Sequence, residues 1–92
     1  MSIIYTEHLK LRLNQRKIPF DFPKMILLFP DQEYFDSVEH SYVAIKRLPL
    51  VERSQQFAVA YNIDIKNDKI AMTIHPINQK QIDSKLISKR WI

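Results

Sequence analysis

The sequence predicts an α+β domain in which two N-terminal helices pack on a four-stranded antiparallel sheet and a short C-terminal helix follows. Two observations lead to this prediction. Apolar residues recur at helical spacing near both ends of the chain, whereas in the centre they alternate with small or polar residues, as they do in strands. The 92 residues suffice for one modest core, so residues 1–92 are predicted to form a single domain.

Two helices are predicted in the N-terminal third. Residues 5–16 contain no proline, Thr6 is suited to cap them, and Leu9 and Leu13, four positions apart, form a short apolar stripe. Residues 24–29 form a shorter helix between two prolines. Because this second segment is apolar on nearly every side, we expect it to be buried.

The central segments have the two-residue period of strands. Every second residue from Phe57 to Ile65 is apolar, and a tight turn at residues 66–69 leads to another alternating segment. Asn67 lies in this turn, and asparagine tolerates the positive φ that such a turn needs in a chain without glycine. Residues 49–55 are expected to form an exposed loop. The four predicted strands are residues 32–38, 41–48, 57–65 and 70–75.

A final short helix is predicted near the C-terminus. Asn78 is placed to cap it, with Gln81 three residues later as its capping-box partner. Ile82 and Leu86 are four residues apart and give the helix an apolar stripe.

Composition excludes several classes of enzyme. The chain has no glycine, which excludes the Gly-rich loops that bind phosphates, and no cysteine, which excludes disulfides, thiolate zinc sites and cysteine nucleophiles. The three histidines lack the short spacing of metal motifs, so we predict neither a metal nor a cofactor. The longest apolar run has five residues and the N-terminal segment is soon charged, so we expect a cytoplasmic protein with no membrane partner.

Positive charge is concentrated near the two ends of the sequence. The net charge is +4; residues 1–24 and residues 77–92 each carry +3, and the residues between them carry −2. If the fold brings the ends together, they form one basic surface suited to a polyanion such as RNA. The alternative is that the charge serves only solubility.

The first helix carries a basic row. His8, Arg12 and Arg16 are four residues apart and fall within about 80° of one another around the helix. Like charges at this spacing oppose helix formation, but an anion bound across them would be attracted, and arginine binds phosphate in a bidentate manner. The row therefore predicts a phosphate contact, and the alternative is a solvated helix face.

Thr73 and His75 point the same way at the end of the last predicted strand. Because histidine titrates near neutrality, His8 and His75 could serve as general acid and base in RNA cleavage, with the 2′-hydroxyl as internal nucleophile. An arginine would stabilise the charge on the phosphorane. This hypothesis requires that the fold join the two histidines; the alternative for His75 is a hydrogen bond at the strand end.

The chain ends with basic residues beside a tryptophan, Lys89, Arg90 and Trp91. A cation next to an aromatic ring is typical of sites where a base stacks beside a bound phosphate. The alternative places Trp91 in the core beneath the last helix.

Several of these segments resemble a widespread family of small prokaryotic proteins of uncharacterised function. The resemblance lies in the helix from Tyr5 to Ile18 with its His, Arg and Arg, in the Thr-Ile-His-Pro strand end at residues 73–76, and in the terminal Arg90-Trp91. That family is similar in turn to BrnT and RelE-type toxins, the mRNA-cleaving partners of type II toxin–antitoxin pairs. The resemblance covers nearly the whole chain and implies a RelE-like fold.

The resemblance also implies a function, that of a metal-independent endoribonuclease whose partners are RNA and a protein antitoxin. His8, His75 and Arg12 would then be catalytic. The residues expected to bind RNA are Arg16, Lys17, Thr73, Lys89, Arg90 and Trp91. Lys17 and Lys89 stand where the family often has a glycine, a residue that ends a helix in left-handed geometry.

Two other functions remain open. A non-catalytic module on the same fold would bind RNA or a protein without cleavage, and its RNA affinity would fall steeply with salt. A protein-interaction subunit would instead use the acidic edge strand at residues 31–40 to pair with a basic partner.

Overall fold

A computed structural model describes residues 2–49 and 54–92, which form a five-stranded mixed sheet with helices on both faces. The strands lie in the order β1-β5-β4-β3-β2. Their bounds are β1 Ile3–Tyr5, β2 Gln32–Asp36, β3 Ser41–Pro49, β4 Ser54–Ile63 and β5 Lys69–Pro76. The helices are α1 Glu7–Arg16, α2 Phe22–Leu28 and α3 Gln79–Ile87. The α+β class is therefore confirmed.

The sheet has one strand more than the sequence predicted. Ile3–Tyr5 pairs in parallel with Lys69–Ala71 of β5, so the first helix begins at Glu7 and not at Tyr5. Strand β1 is short, but its isoleucines and tyrosine favour an extended backbone. Strands β2 to β5 pair antiparallel in sequence order. The prediction of a purely antiparallel, four-stranded sheet is therefore wrong at the edge that β1 adds.

The ends of α1 and α3 follow the local sequence signals. Thr6 caps α1 with its side-chain oxygen, and Asn78 and Gln81 form the predicted reciprocal capping box of α3. Lys17 and Lys89 follow the two helices in left-handed geometry, with φ of 55° and 60°. Lysine holds this conformation at a cost of roughly 1 kcal/mol, which glycine would avoid.

The two faces of the sheet are covered by different helices. Helices α1 and α2 cover the first face, where the core includes Leu9, Leu13 and Ile26 packed with Phe57, Val59 and Ile74. Helix α3 and the C-terminal residues cover part of the second face, where the core includes Ile77, Ile82 and Trp91 packed with Val43, Ile45 and Ala58. Helix α3 thus lies on the opposite side of the sheet from α1 and α2.

Helix α2 is only half buried, contrary to the prediction. Ile26 and Leu27 face the sheet, but Met25 and Leu28 are exposed, and Phe29 after the helix is 69% exposed. A helix on the outside of a sheet buries one side only, so an all-round apolar sequence leaves apolar atoms in water. We call the exposed residues Phe20, Met25, Leu28 and Phe29 the α2 surface.

Turns connect the strands largely as predicted. Asn67 has φ of 67° in the turn before β5, and His40 has φ of 55° in the turn after β2, which ends at Asp36 instead of residue 38. The predicted loop at residues 49–55 is shorter, because strand pairing reaches Pro49 and Ser54, and its tip lies outside the described residues. Within the described part of the chain, every helix is too short or too polar to cross a membrane.

Candidate functional site

The C-terminal residues 90–92 form an extended segment along the outer edge of β2. Phe35 and Ile92 exchange backbone hydrogen bonds of 2.9 and 3.0 Å, and the Ser37 N–H donates to the Arg90 carbonyl at 2.7 Å. The acidic strand, which the sequence left open to a basic partner, is thus paired with the basic end of its own chain. We call residues 90–92 the C-terminal segment.

Asp36 attaches this segment to the sheet. Its carboxylate is 5% exposed and accepts hydrogen bonds from the backbone N–H groups of Val38 and Glu39, from Arg90 Nε and from Trp91 Nε1, all between 2.9 and 3.2 Å. Burial by itself raises the pKa of Asp36. The hydrogen bonds from Glu39, Val38, Trp91 and Arg90 outweigh burial, so the pKa is lower than usual.

Trp91 is a core residue. Its ring is 3% exposed, Tyr34 stacks against it at 5.6 Å between centroids, and Lys85 Nζ lies 5.9 Å from the ring centre. The base-stacking role expected of Trp91 does not fit this environment, and the alternative of a core tryptophan does. Arg90 is engaged as well, since its guanidinium contacts Asp36 and also lies 3.7 Å from Glu39.

His75 lies where β5 has an uncovered outer edge. Strand β1 pairs with β5 as far as Tyr5 opposite Ala71, and among the described residues no strand lies beside the second half of β5 on that edge. Arg16, at the end of α1, reaches this open edge, where its Nη1 donates a hydrogen bond of 3.0 Å to the Ile74 carbonyl. The contact brings an arginine from the first face of the sheet next to His75.

Several clefts meet at His75. One, of about 460 Å³, runs over the part of the second face that α3 leaves open; we call it the sheet cleft, and its lining includes Ser41, Val43, Asn62, Thr73, His75 and Lys85. Another, of about 650 Å³, lies at the end of β5; we call it the end cleft, and its lining includes Arg16, Lys17, His75 and Pro76. His75 is therefore accessible from both faces of the sheet.

The surroundings of His75 favour its neutral form. The residue is exposed, but the cleft walls remove part of the water around the ring, and this desolvation lowers its pKa. Repulsion from Arg16 and Lys85 lowers the pKa further. The lowered pKa favours the uncharged imidazole, which is the form that can accept a proton.

His8 and Arg12 lie apart from this cluster on the exposed side of α1. Two helical turns separate His8 from Arg16, about 12 Å along the axis. Within the described part of the chain, His8 lines none of the clefts that meet at His75. The acid–base hypothesis requires His8 and His75 in one cleft, and the structure does not place them in one.

The remaining predicted RNA-binding residues divide between the clefts and the C-terminal segment. Thr73 lines the sheet cleft and Lys17 lines the end cleft, each together with His75. Lys89 is exposed before the C-terminal segment, and its carbonyl accepts a hydrogen bond from Ser37 Oγ at 3.2 Å. Arg90 and Trp91 also line the sheet cleft with His75, so Lys89 is the one member of the predicted set that lines neither cleft.

Three residues of the sheet cleft escaped sequence reasoning. Ser41 and Asn62 belong to different strands, and only the pairing of β3 with β4 makes them neighbours. Lys85 lies in the last turn of α3, where a cation suits the helix dipole, so its sequence position gives no sign of a cleft. The two-residue period of β4 was a usable signal for Asn62, because it places the Asn62 side chain on the same face of the sheet as that of Ala58, the second face.

No protein-family model, curated protein or solved structure matches the chain. Among residues 2–49 and 54–92, no group of three or more His, Asp or Glu side chains could hold a metal ion.

Proposed function

We propose that this protein binds single-stranded RNA at the two clefts and cleaves it without a metal, with His75 as general base. The observation that carries the proposal is the position of His75, which shares one cleft with Lys85 and another with Arg16, with a pKa that its surroundings lower. A general base needs its unprotonated form at the working pH, and a phosphodiester needs cations beside it. Both requirements are met by side chains around one strand end.

The proposed reaction uses the 2′-hydroxyl of the RNA as nucleophile. His75 takes the proton of this hydroxyl, and the oxygen attacks the adjacent phosphorus to form a 2′,3′-cyclic phosphate. The bond from phosphorus to the 5′-oxygen breaks, and the leaving oxygen takes a proton from a water molecule, whose hydroxide takes back the proton that His75 removed from the 2′-hydroxyl. Arg16 and Lys85 stabilise the negative charge that grows on the phosphorane.

The histidines of the chain provide a matched test. We expect His75→Ala to slow cleavage of a fluorescent single-stranded RNA in EDTA by roughly 10²- to 10⁴-fold, the usual contribution of a general base. His40→Ala, in the turn after β2, serves as the control and should retain full activity. Circular dichroism checks that each variant is folded. Full activity in His75→Ala, or intact RNA with the wild type, would refute the proposal.

His8→Ala tests the acid–base pair that the sequence predicted. Because His8 lines neither cleft with His75, we expect its removal to change the cleavage rate by less than a few-fold. A loss as large as that of His75→Ala would restore His8 as the acid.

The separation of His8 from His75 also favours a second candidate, a non-catalytic RNA-binding module. Such a module would bind RNA through Arg16, Lys17 and Lys85 without cutting it. The logarithm of its affinity would fall linearly with the logarithm of salt concentration, with a slope of about −0.7 for each phosphate contacted. Binding without cleavage in the same assay would select this candidate.

We further propose that the ribonuclease is a toxin held inactive by a protein antitoxin, as the family resemblance implies. The α2 surface supports a protein partner, because exposed apolar patches mark interaction sites. Induced expression should arrest bacterial growth, and His75→Ala should relieve the arrest. Normal growth with well-expressed wild type would contradict the toxin role.

A further inference from the structure

A third cleft meets the sheet cleft and the end cleft at His75. We call it the α3 cleft; its volume is about 430 Å³, and its lining consists of His75, Ile77, Lys80, Gln81, Ser84 and Lys85. Lys85 lines the sheet cleft as well, so the α3 cleft borders the proposed site. The proposed reaction makes no use of Lys80 or Ser84.

The charges of the three clefts differ. The described residues that line the α3 cleft include two lysines and no carboxylate. The end cleft is similar, because Arg16 and Lys17 line it without an acid among the described residues. The sheet cleft, in contrast, contains Asp36 and Glu39 beside its cations. A strand of phosphates is therefore attracted from the end cleft past His75 into the α3 cleft.

Lys80 has no ion pair within the described part of the chain. The residue is exposed, and none of the described acids lies within ion-pair distance of Lys80 or Lys85. The acid of α3, Asp83, instead accepts a hydrogen bond of 2.8 Å from Gln79. Ser84 lies four residues after Lys80 on the same side of the helix, so its hydroxyl can donate to an anion that Lys80 binds.

The spacing of the two lysines suits successive phosphates. Five residues at a helical rise of about 1.5 Å place Lys80 roughly 7.5 Å from Lys85 along the axis of α3. This length is close to the distance between adjacent phosphates of an extended RNA strand. Because Lys85 contacts the reacting phosphate in the proposed reaction, Lys80 lies near the position of the next one.

We infer that the α3 cleft is a second phosphate subsite, in which Lys80 and Ser84 bind the phosphate next to the one that is cleaved; this inference rests on the proposed RNA function. Lys80 supplies the charge and Ser84 supplies one hydrogen bond. Contacts of this kind position the strand and carry no sequence information. The substrate class is therefore an RNA with at least two phosphates, held on both sides of His75.

The salt dependence of binding tests this subsite without cleavage. The probe is a fluorescein-labelled 2′-O-methyl oligouridylate, which lacks the nucleophilic hydroxyl, and fluorescence anisotropy gives its affinity from low to moderate salt. Each phosphate contact on a single strand contributes about −0.7 to the slope of log affinity against log salt concentration. Lys80→Gln should make the slope about 0.7 less steep, whereas Lys80→Arg should keep the wild-type slope. An unchanged slope in Lys80→Gln would overturn the inference.

Lys66→Gln is the matched control. Lys66 is exposed in the turn before β5, at the opposite end of that strand from His75. The control removes the same charge, so a slope that changes as much as in Lys80→Gln would indicate a general charge effect and refute the subsite. Ser84→Ala should weaken binding roughly 2- to 10-fold, the contribution of one hydrogen bond, without changing the slope. Full affinity in Ser84→Ala would refute the role of Ser84.

Failure of the subsite and failure of the ribonuclease give different results. In the cleavage assay, Lys80→Gln should lower the ratio of kcat/KM for an oligonucleotide to that for a dinucleotide, which has only the scissile phosphate. Cleavage with an unchanged ratio would refute the subsite alone. Binding of the probe that depends on Lys80, by a protein that cuts no RNA, would refute the ribonuclease and support the subsite in an RNA-binding module. A wild type that does not bind the probe would refute both.

Discussion

Replacing Asp36 by asparagine tests the hydrogen-bond cluster that attaches the C-terminal segment to β2. The two carboxylate oxygens serve four donor groups, from Val38, Glu39, Arg90 and Trp91. An amide keeps one acceptor oxygen and turns an NH₂ group toward the donors on the other side. Either Trp91, or Val38 and Glu39, then lose their acceptor, and Arg90 Nε loses one of the two oxygens that it contacts, at about 1–3 kcal/mol for each acceptor lost. Because Arg90 is partly exposed and water can satisfy it, we expect a total loss of about 3 kcal/mol.

The assay is urea unfolding followed by tryptophan fluorescence, since Trp91 is the single tryptophan and lies in the affected cluster. With an m-value of about 1–3 kcal/mol/M, the midpoint should fall by roughly 1–3 M. Asp83→Asn is the matched control. Asp83 is exposed and accepts one hydrogen bond, from Gln79 at 2.8 Å, so its replacement should change stability by less than about 0.5 kcal/mol.

The pH dependence separates the charge of Asp36 from simple packing. The folded state lowers the pKa of Asp36, so the unfolded chain binds the proton more readily. The carboxylate therefore contributes stability above the acidic range, and this contribution is lost as pH falls through the folded pKa. The difference between wild type and Asp36→Asn should shrink below about pH 4. A loss under about 0.5 kcal/mol at pH 7, or an undiminished difference in acid, would refute the reasoning.

Three further substitutions have expected outcomes. Lys17→Gly relieves left-handed strain and should raise the free energy of unfolding by about 1 kcal/mol, or the melting temperature by roughly 4–8 °C. Lys10→Gly, the control inside α1, should lower both quantities. Equal changes in the two variants would contradict the strain argument. Arg16→Gln removes a neighbouring cation and should raise the pKa of His75 in an NMR titration, and an unchanged or lower value would show that Arg16 exerts no repulsion. Because folding lowers the pKa of His75, the unfolded chain binds the proton more readily, and the free energy of unfolding falls as pH drops below the ordinary pKa of histidine. Arg16→Gln should reduce this loss of stability. Glu39→Gln removes a carboxylate from the sheet cleft and should strengthen RNA binding a few-fold at low salt, and weaker binding would argue against RNA in this cleft.

Local sequence signals predicted the helix ends well because their causes are local. The caps at Thr6 and Asn78 act over three residues, so the sequence indicated them without knowledge of the fold. The alternation from Phe57 likewise identified β4, since burial of one face imposes a period of two.

The features that the sequence did not predict depend on distant partners. Strand β1 exists only because β5 offers an edge to Ile3–Tyr5, and three residues carry too little periodicity to indicate a strand. The cluster at Asp36 joins residues 55 positions apart, so neither its carboxylate nor Trp91 identifies the other in the sequence. His8, Arg12 and Arg16 do lie four residues apart on α1, but packing decides that Arg16, and not His8, lies beside β5.

The basic ends of the sequence meet, although the chain ends do not. Strand β1 and the C-terminal segment lie at opposite edges of the sheet. The acids of β2 and its turn neutralise Arg90, which removes one cation from the C-terminal group. The cations that do converge are Arg16 from α1 and Lys85 from α3, two helices on opposite faces of the sheet. They meet at His75, where β5 extends beyond the end of β1. The short first strand therefore creates the candidate site, because a longer β1 would cover the edge through which Arg16 reaches β5.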